Sequence, residues 1–273
     1  MATLRHVQGA AATVEGRRIH IRGTVQGVGF RPWVYRVATE IGVSGRVRND
    51  SSGVIIEAFG DPAALEGFTG ALRGAPPPAA QVSSLTVVDI PAEPATSFVI
   101  VPSGQSAERI VSIPPDLATC DDCLAEIFDP GNRRHRYPFT NCTNCGPRFT
   151  IATDIPYDRA ATTMATFTMC EACRREYEDV SDRRFHAQPN ACPACGPRLI
   201  LTKPDGQPMP VDDPIAAAAE ALRSGLIVAL KGIGGFHLAC DATYAFAVDR
   251  LRRRKRRDEK PFAVMVRDLE AAE

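Results

Sequence analysis

Several features that the sequence lacks already restrict the kind of protein it encodes. The longest apolar runs, such as Leu226 to Leu230, are far shorter than the roughly 20 residues of a membrane-spanning helix. The first dozen residues do not contain the apolar centre of a secretion signal. Charge of one sign is not in excess, because 32 Lys and Arg residues balance 32 Asp and Glu residues, and this argues against nucleic acid as a partner. We therefore expect a soluble cytoplasmic protein that does not act in a membrane.

Cysteine, by contrast, is plentiful and follows one spacing. Eight of the nine cysteines form four Cys-x-x-Cys pairs, and the unit recurs with an offset of 50 residues that also carries Cys145-Gly-Pro-Arg148 onto Cys195-Gly-Pro-Arg198. Two intervening residues allow both sulfurs of a pair to bind one tetrahedral metal, so four pairs predict two structural Zn²⁺ sites of four thiolates each. The predicted metal ligands are Cys120, Cys123, Cys142, Cys145, Cys170, Cys173, Cys192 and Cys195.

Other interpretations of the cysteines are weaker. A disulfide framework needs an oxidising compartment, and a redox Cys-x-x-Cys occurs singly near a βαβ pattern. The repeat favours pairing the first motif with the second and the third with the fourth, while a nested pairing of the first with the fourth stays open. Because eight thiolates fill two sites, we expect His135 and His186 to lie in loops or at an interface.

Residues 17–101 show the alternation of a small α+β domain. The order of elements is β-α-β-β-α-β with a final strand, which predicts a ferredoxin-like sandwich. Residues 1–16 are expected to form a flexible N-terminus. The predicted strands cover Arg18 to Arg22, Gly45 to Asn49, Val54 to Phe59, Leu85 to Ile90 and Phe98 to Val101. Of the two predicted helices, the first begins at Pro32 and the second covers Pro62 to Arg73.

A glycine-containing loop, Val25-Gln-Gly-Val-Gly-Phe-Arg31, joins the first strand to the first helix. Backbone N–H groups converge on an anion in such loops. Together with the strand Gly45-Arg-Val-Arg-Asn49, this segment resembles the acylphosphatase family. The resemblance implies that Arg31 neutralises a phosphoryl group and that Asn49 positions the attacking water. The implied phosphate-binding residues are Gln26, Gly27, Val28, Gly29, Phe30 and Arg31.

The remainder divides into a linker at 102–115, the zinc-finger module at 116–200, a second linker at 201–211 and a final region at 212–273. The last region is expected to contain a helix from Pro214 to Arg223, a short buried strand at Leu226 to Leu230, a helix from Tyr244 to Arg257 and a strand from Lys260. Cys240 is expected to be buried. Because these strands have no neighbours to complete a sheet, we expect the chain to be the N-terminal part of a longer protein.

The stretch Lys255-Arg-Arg257-Asp-Glu-Lys260-Pro261 resembles the YrdC/Sua5 family. The resemblance implies the beginning of an α/β domain that binds ATP with Mg²⁺ when complete. Lys255 and Arg257 are then expected to face the nucleotide phosphates.

The order of acylphosphatase domain, tandem zinc module and YrdC-like region resembles the HypF family, the carbamoyltransferases of [NiFe]-hydrogenase maturation. The resemblance implies hydrolysis of carbamoyl phosphate, formation of carbamoyl adenylate with ATP, and transfer of the carbamoyl group to the C-terminal cysteine of the partner HypE. Two alternatives are a non-catalytic zinc-knuckle module that binds nucleic acid or protein, and a stand-alone acylphosphatase. Zero net charge and the presence of both Arg31 and Asn49 weigh against the non-catalytic alternative.

Overall fold

A computed structural model describes residues 14–104, 106 and 109–273. Most of the expected flexible N-terminus, residues 1–13, lies outside them, and Glu15 and Gly16 already belong to the first strand. The chain divides into two compact units, with the boundary after Pro197.

The first unit begins with the predicted ferredoxin-like sheet, which is confirmed. Its strand order is β4-β1-β3-β2-β5, and the neighbours are antiparallel except for the parallel pair β2 and β5. Two helices complete this part of the unit. The elements are β1 (Glu15–Thr24), α1 (Phe30–Ile41), β2 (Ser44–Asp50), β3 (Gly53–Gly60), α2 (Pro62–Gly74), β4 (Gln81–Ile90) and β5 (Phe98–Ile100).

An apolar core explains why this sequence forms a sheet covered by helices. Alternate residues of the central strands are fully buried, among them Ile19 and Ile21 of β1 and Ile56 of β3. The helices contribute residues spaced by three and four positions, such as Leu65, Phe68 and Leu72 of α2, as an amphipathic helix requires. Burial of each large apolar side chain stabilises the fold by about 1.5–3 kcal/mol.

The cysteine-rich part of the first unit contains little regular structure. Helix α3 (Asp121–Phe128) and helix α4 (Glu171–Glu178) each begin directly after the first cysteine of a repeat. Its apolar cluster is small, with Tyr137, Met164 and Ala191 buried at the centre. Contacts other than apolar packing must therefore hold this part together.

The second unit contains α5 (Pro214–Arg223), a hairpin of β6 (Val228–Gly232) and β7 (Gly235–Ala239), and α6 (Ala245–Lys255). The predicted helices are present, but three other predictions for this unit were wrong. The strand is shifted from Leu226–Leu230 to β6 and is not buried, since Leu230 is 50% exposed. No strand forms within the described residues Lys260 to Met265, and this stretch pairs with neither β6 nor β7. Cys240 is half-buried rather than buried.

The described residues contain no helix that is both long enough and apolar enough to cross a membrane.

Candidate active site and metal centres

The glycine loop lies between β1 and α1, as predicted. Gly27 and Gly29 have φ angles of +71° and +74°, which other residues adopt only with strain. Gln26 is buried, and its amide donates to the carbonyls of Asp50 and Gly53, both at 2.7 Å. The loop is thereby fixed against the turn between β2 and β3, with its backbone directed into the N-terminus of α1.

Arg31 and Asn49, the two predicted catalytic residues, are both buried beside this loop. Arg31 belongs to the first turn of α1 and is 8% exposed, and Asn49 is 1% exposed near the end of β2. The Asn49 amide donates to the carbonyl of Tyr157 at 3.0 Å. Its Oδ1 is buried without a hydrogen-bond partner among the described residues. A buried acceptor of this kind can take a hydrogen bond from a water molecule.

The cysteine-rich part of the unit forms the opposite wall of the site. The cleft is lined on one side by the loop, Arg31 and Asn49, and on the other by Thr143, Arg148, Tyr157, His186, Ala187, Gln188 and Pro189. A Cβ added to Gly27 lies 3.2 Å from both Arg148 and Tyr157, so the two walls are in close contact. Sequence patterns do not predict this second wall, because its residues are more than 90 positions from the loop and follow no local period.

Arg148 connects one metal cluster to the glycine loop. It is 1% exposed, and its Nε donates to the carbonyl of Gly27. The two Nη atoms donate to four carbonyls of the second knuckle, those of Cys142, Thr143, Cys145 and Pro147, at 2.8–3.0 Å. Because the donors of Arg148 bind backbone carbonyls, the side chain fixes the shape of the knuckle. Carbonyls do not neutralise the guanidinium, so Arg148 also brings a positive charge to the cleft wall.

Burial sets the protonation of the aromatic residues that line the cleft. Burial, reinforced by the nearby Arg31 guanidinium and opposed by Asp158, lowers the pKa of His186 to about 4. Burial raises the pKa of Tyr157 to about 12. Both side chains are therefore neutral at pH 7. The cleft lining carries the charges of Arg31 and Arg148, and Asp158 pairs with Arg31 beside it.

The eight predicted metal ligands gather into two clusters. Cys120, Cys123, Cys142 and Cys145 form the first, and Cys170, Cys173, Cys192 and Cys195 form the second, with all sulfurs of a cluster within 4.8 Å of one another. The first and second motifs share a site, as do the third and fourth, so the nested pairing is wrong.

The sulfur spacing fits zinc. Adjacent sulfurs are separated by 3.7 Å for Cys120–Cys142 and by 3.8 Å for Cys142–Cys145. In the second cluster the corresponding distances are 3.7 Å and 3.8 Å. Tetrahedral Zn–S bonds of about 2.3 Å place neighbouring sulfurs about 3.8 Å apart. The two clusters thus fit two zinc ions.

Arginines from each repeat reach the cluster of the other. Arg133 and Arg134 of the first repeat lie 3.3 Å and 3.7 Å from the sulfur of Cys173. Reciprocally, Arg183 of the second repeat donates to the sulfur of Cys123 at 3.1 Å. Four thiolates outweigh a divalent cation by two negative charges, so guanidinium groups at these sulfurs offset charge that is removed from water.

One glutamate on each helix holds these arginines in place. Glu176 of α4 accepts from Arg133 and Arg134, each at 2.6 Å, and Glu126 of α3 accepts from Arg183 at 2.7 Å and also from Arg184. Burial alone raises the pKa of Glu176, but the hydrogen bonds and charges of Arg134 and Arg133 outweigh it and lower the pKa to about 2. The two repeats are therefore held together by ion pairs that cross from each repeat to the other.

The two predicted nucleotide-binding residues lie near the C-terminal end of α6. Lys255 is exposed. Arg257 donates to the carbonyl of Pro261 at 3.3 Å, and its guanidinium lies 5.5 Å from the ring centre of Phe262. Their assignment to nucleotide phosphates stays a prediction.

Comparisons with known families agree with this division of the chain. The acylphosphatase family matches residues 17–100, the HypF finger matches residues 119–152 and 169–202, and the Sua5/YciO/YrdC family, described as telomere recombination, matches residues 220–273. The first unit therefore combines an acylphosphatase domain with tandem zinc fingers.

Individual similar proteins indicate a more specific family than the three domain matches do. The chain is 57% identical over 257 residues to carbamoyltransferase HypF2 of Cupriavidus necator, covering 93% of this chain and 32% of that protein. It matches a crystal structure of full-length HypF in the phosphate- and nucleotide-bound form with a TM-score of 0.89 and 48% identity, over 97% of this chain and 34% of that one. An acylphosphatase of Rhizorhabdus wittichii is 39% identical over 89 residues, which are 32% of this chain and 88% of that protein.

By sequence and structure, the chain matches the N-terminal region of the HypF carbamoyltransferases. It spans about a third of the length of the curated relatives that it matches.

Proposed function

We propose that the first unit hydrolyses carbamoyl phosphate, and that this is the first step of a HypF-type carbamoyl transfer. The observation that carries the proposal is the pair of buried residues beside the glycine loop: Arg31 at the start of α1, and Asn49 near the end of β2 with an unpaired Oδ1. In this proposal the loop from Gln26 to Phe30 binds the phosphoryl group through backbone N–H groups, and Arg31 neutralises its charge.

Water is the nucleophile in this proposal. Asn49 Oδ1 accepts a hydrogen bond from the water and orients it, which is the contribution of positioning without a covalent enzyme intermediate. The water oxygen bonds to phosphorus, the bond between phosphorus and the bridging oxygen breaks, and the bridging oxygen leaves as part of carbamate. Both protons of the water stay with the phosphate, which leaves as dihydrogen phosphate. The neutral state of His186 and Tyr157 at pH 7 keeps the second wall free of negative charge apart from Asp158.

The later steps belong to the whole protein and are part of the same proposal. Carbamate attacks the α-phosphorus of ATP, with Mg²⁺, in the YrdC-like domain, where Lys255 and Arg257 face the phosphates, and pyrophosphate leaves as carbamoyl adenylate forms. The carbamoyl group then passes to the C-terminal cysteine thiol of HypE as AMP leaves, and it supplies the cyanide ligands of the hydrogenase iron. The full-length HypF relative was crystallised in a phosphate- and nucleotide-bound form, and this supports a reaction that uses both kinds of ligand.

We assign the parts as predicted: residues 17–101 to hydrolysis, 116–200 to the two structural zinc ions and 212–273 to the YrdC-like region. The eight cysteines would hold the metals, which supply no chemistry to the reaction and stabilise the wall that faces the loop.

The test is phosphate release from carbamoyl phosphate by this chain, beside Arg31→Ala and Asn49→Ala. We expect each variant to lose about a hundredfold or more of the turnover, the size of effect seen when one charge-stabilising or positioning group is removed. Arg36→Ala is the matched control, because Arg36 is an exposed arginine on the same helix. Zinc content and circular dichroism of every variant should equal those of the parent.

Turnover that survives in both variants would contradict the proposed site. A binding module becomes the better account if the parent releases no phosphate but binds RNA in a salt-dependent manner. Equal turnover of carbamoyl phosphate and of larger acyl phosphates would favour a general acylphosphatase.

A further inference from the structure

The segment that joins the two zinc repeats contacts the predicted catalytic residues directly. Its residue Tyr157 is 1% exposed, and both backbone polar groups are used by the site: the N–H donates to Gln26 Oε1 at 2.8 Å and the carbonyl accepts from Asn49 at 3.0 Å. The following residue, Asp158, contacts Arg31. Three residues of the acylphosphatase site are thus bound by two consecutive residues of the zinc module.

Asp158 holds the Arg31 guanidinium in one orientation. Its Oδ1 lies 2.6 Å from Arg31 Nη2, and its Oδ2 accepts from the hydroxyl of Ser103. With both oxygens engaged, the carboxylate has little freedom. A single N–H of Arg31 satisfies this ion pair, so the other donors of the guanidinium stay available to a phosphoryl group. Restriction of a flexible arginine before substrate binds reduces the entropy that must be lost on binding.

The same carboxylate has an unfavourable effect on anion binding. A negative charge within a few ångströms of the phosphoryl position weakens binding of a phosphate dianion in a partly buried cleft. An aspartate here therefore lowers ground-state affinity while it orients the group that neutralises charge in the reaction. Those two effects have opposite signs and can be measured separately.

We propose that Asp158 is a positioning residue for Arg31: it raises the turnover of the acylphosphatase site and lowers that site's affinity for phosphate. This inference rests on the proposed hydrolysis and extends the site into the zinc module, since Asp158 lies outside the 17–100 segment that matches the acylphosphatase family.

The experiment compares Asp158→Asn and Asp158→Ala with the zinc-loaded parent chain, using carbamoyl phosphate for turnover and inorganic phosphate for binding by calorimetry. In Asp158→Asn the amide oxygen still accepts from Arg31 and the negative charge is gone. We expect phosphate to bind about threefold or more tightly, with kcat within about threefold of the parent. In Asp158→Ala the tether is lost, so kcat should fall about tenfold to a hundredfold although phosphate binds more tightly than to the parent.

Asp154→Asn is the matched control, because Asp154 lies in the same segment, is 58% exposed and pairs with Arg109 at the surface. It should leave phosphate affinity and kcat unchanged. Unchanged phosphate affinity and kcat in Asp158→Ala would overturn the proposal, as would weaker phosphate binding in both Asp158 variants, which is the result of a merely structural role.

The binding measurement separates this inference from the proposed function. If the parent binds phosphate but does not hydrolyse carbamoyl phosphate, tighter binding by Asp158→Asn supports the Arg31–Asp158 coupling while the proposed reaction fails. If the parent hydrolyses carbamoyl phosphate and the Asp158 variants behave as the parent does, the reaction stands and the role of Asp158 is refuted.

Discussion

The two parts of the first unit are stabilised by different chemistry. The acylphosphatase domain has a continuous apolar core that includes Ile19, Val47, Ile56 and Phe68, all fully buried. In the zinc module, the largest fully buried side chains include Arg134 and Arg148, and the apolar cluster around Tyr137 is small. The module thus depends on metal–thiolate bonds and on charged hydrogen bonds, which are strong when complete and costly when one partner is missing.

The two parts should therefore respond differently to the loss of a side chain. Loss of a methyl group from an apolar core removes only a fraction of the free energy of unfolding of the domain. Loss of one member of an ionic network leaves the remaining charged groups buried without partners, which costs more. The module contacts the glycine loop and Arg31 through Arg148, Tyr157 and Asp158, so damage to its network should also reach the candidate site.

Removal of zinc should have the largest effect and should separate the two parts. We expect a strong chelator to unfold residues 116–197 while β1 to β5 with α1 and α2 stay folded, because each structural zinc contributes several kcal/mol or more and the apolar core binds none. Hydrogen exchange measured before and after chelation tests this, since the amides of α3 and α4 should lose protection and those of β1 and β3 should keep it. Zinc added back is the control, and persistent protection of α3 and α4 without metal would contradict the prediction.

Arg134→Met should have the next largest effect. Arg134 donates to both oxygens of Glu176, to the carbonyl of Ala191 and to Asn190. Without Arg134, these acceptors lose this hydrogen-bond donor while they stay buried. We expect a loss of about 3–5 kcal/mol in the free energy of unfolding of the module, measured by urea titration with zinc present. Zinc should also leave the second cluster faster, because Arg134 lies 3.7 Å from the sulfur of Cys173.

Two further arginine variants test whether burial decides the size of the loss. Arg184→Met should cost about as much, because Arg184 makes the equivalent contacts to Glu126 and to the carbonyl of Asn141. Arg133→Met should cost about 1 kcal/mol or less, since the Arg133 side chain is 33% exposed. Equal losses for Arg133→Met and Arg134→Met would mean that burial does not decide the contribution of these arginines.

Local sequence patterns predicted the strands of the first domain and the grouping of the cysteines. Alternation of apolar residues placed β1 to β5 to within a few residues, and the 50-residue repeat favoured the cysteine grouping that the structure has. The pattern was insufficient where an element needs a distant partner. Residues Lys260 to Met265 have strand-like composition but do not pair with β6 or β7.

The second wall of the site was missed for the same physical reason. Tyr157 bonds to Gln26 across 131 positions, and Asp158 bonds to Arg31 across 127 positions, so no periodicity links them. The repeat did offer one signal. Position 136 holds an arginine and the equivalent position 186 holds a histidine, both with left-handed backbone, and His186 lines the cleft. A change of residue type at a constrained position of a repeat can mark the copy that has acquired a role.

His186 should give a smaller effect than Arg134 or Arg184, and its pH dependence tests whether the cleft is a buried environment. Its pKa is about 4 in the folded chain, below the usual value of 6.5, because of burial and the nearby Arg31. The unfolded chain therefore binds the proton more readily, so the contribution of His186 to stability is complete above pH 6.5 and is lost as the pH falls towards 4. Between about pH 7.5 and pH 5 we expect the parent to lose about 1–2 kcal/mol that His186→Asn does not lose, measured by urea unfolding at each pH. His135→Asn, at an exposed histidine of the first repeat, is the control and should follow the parent. If His186→Asn and the parent lose stability in parallel, the histidine is hydrated in the folded chain and the two walls of the cleft do not exclude water from it.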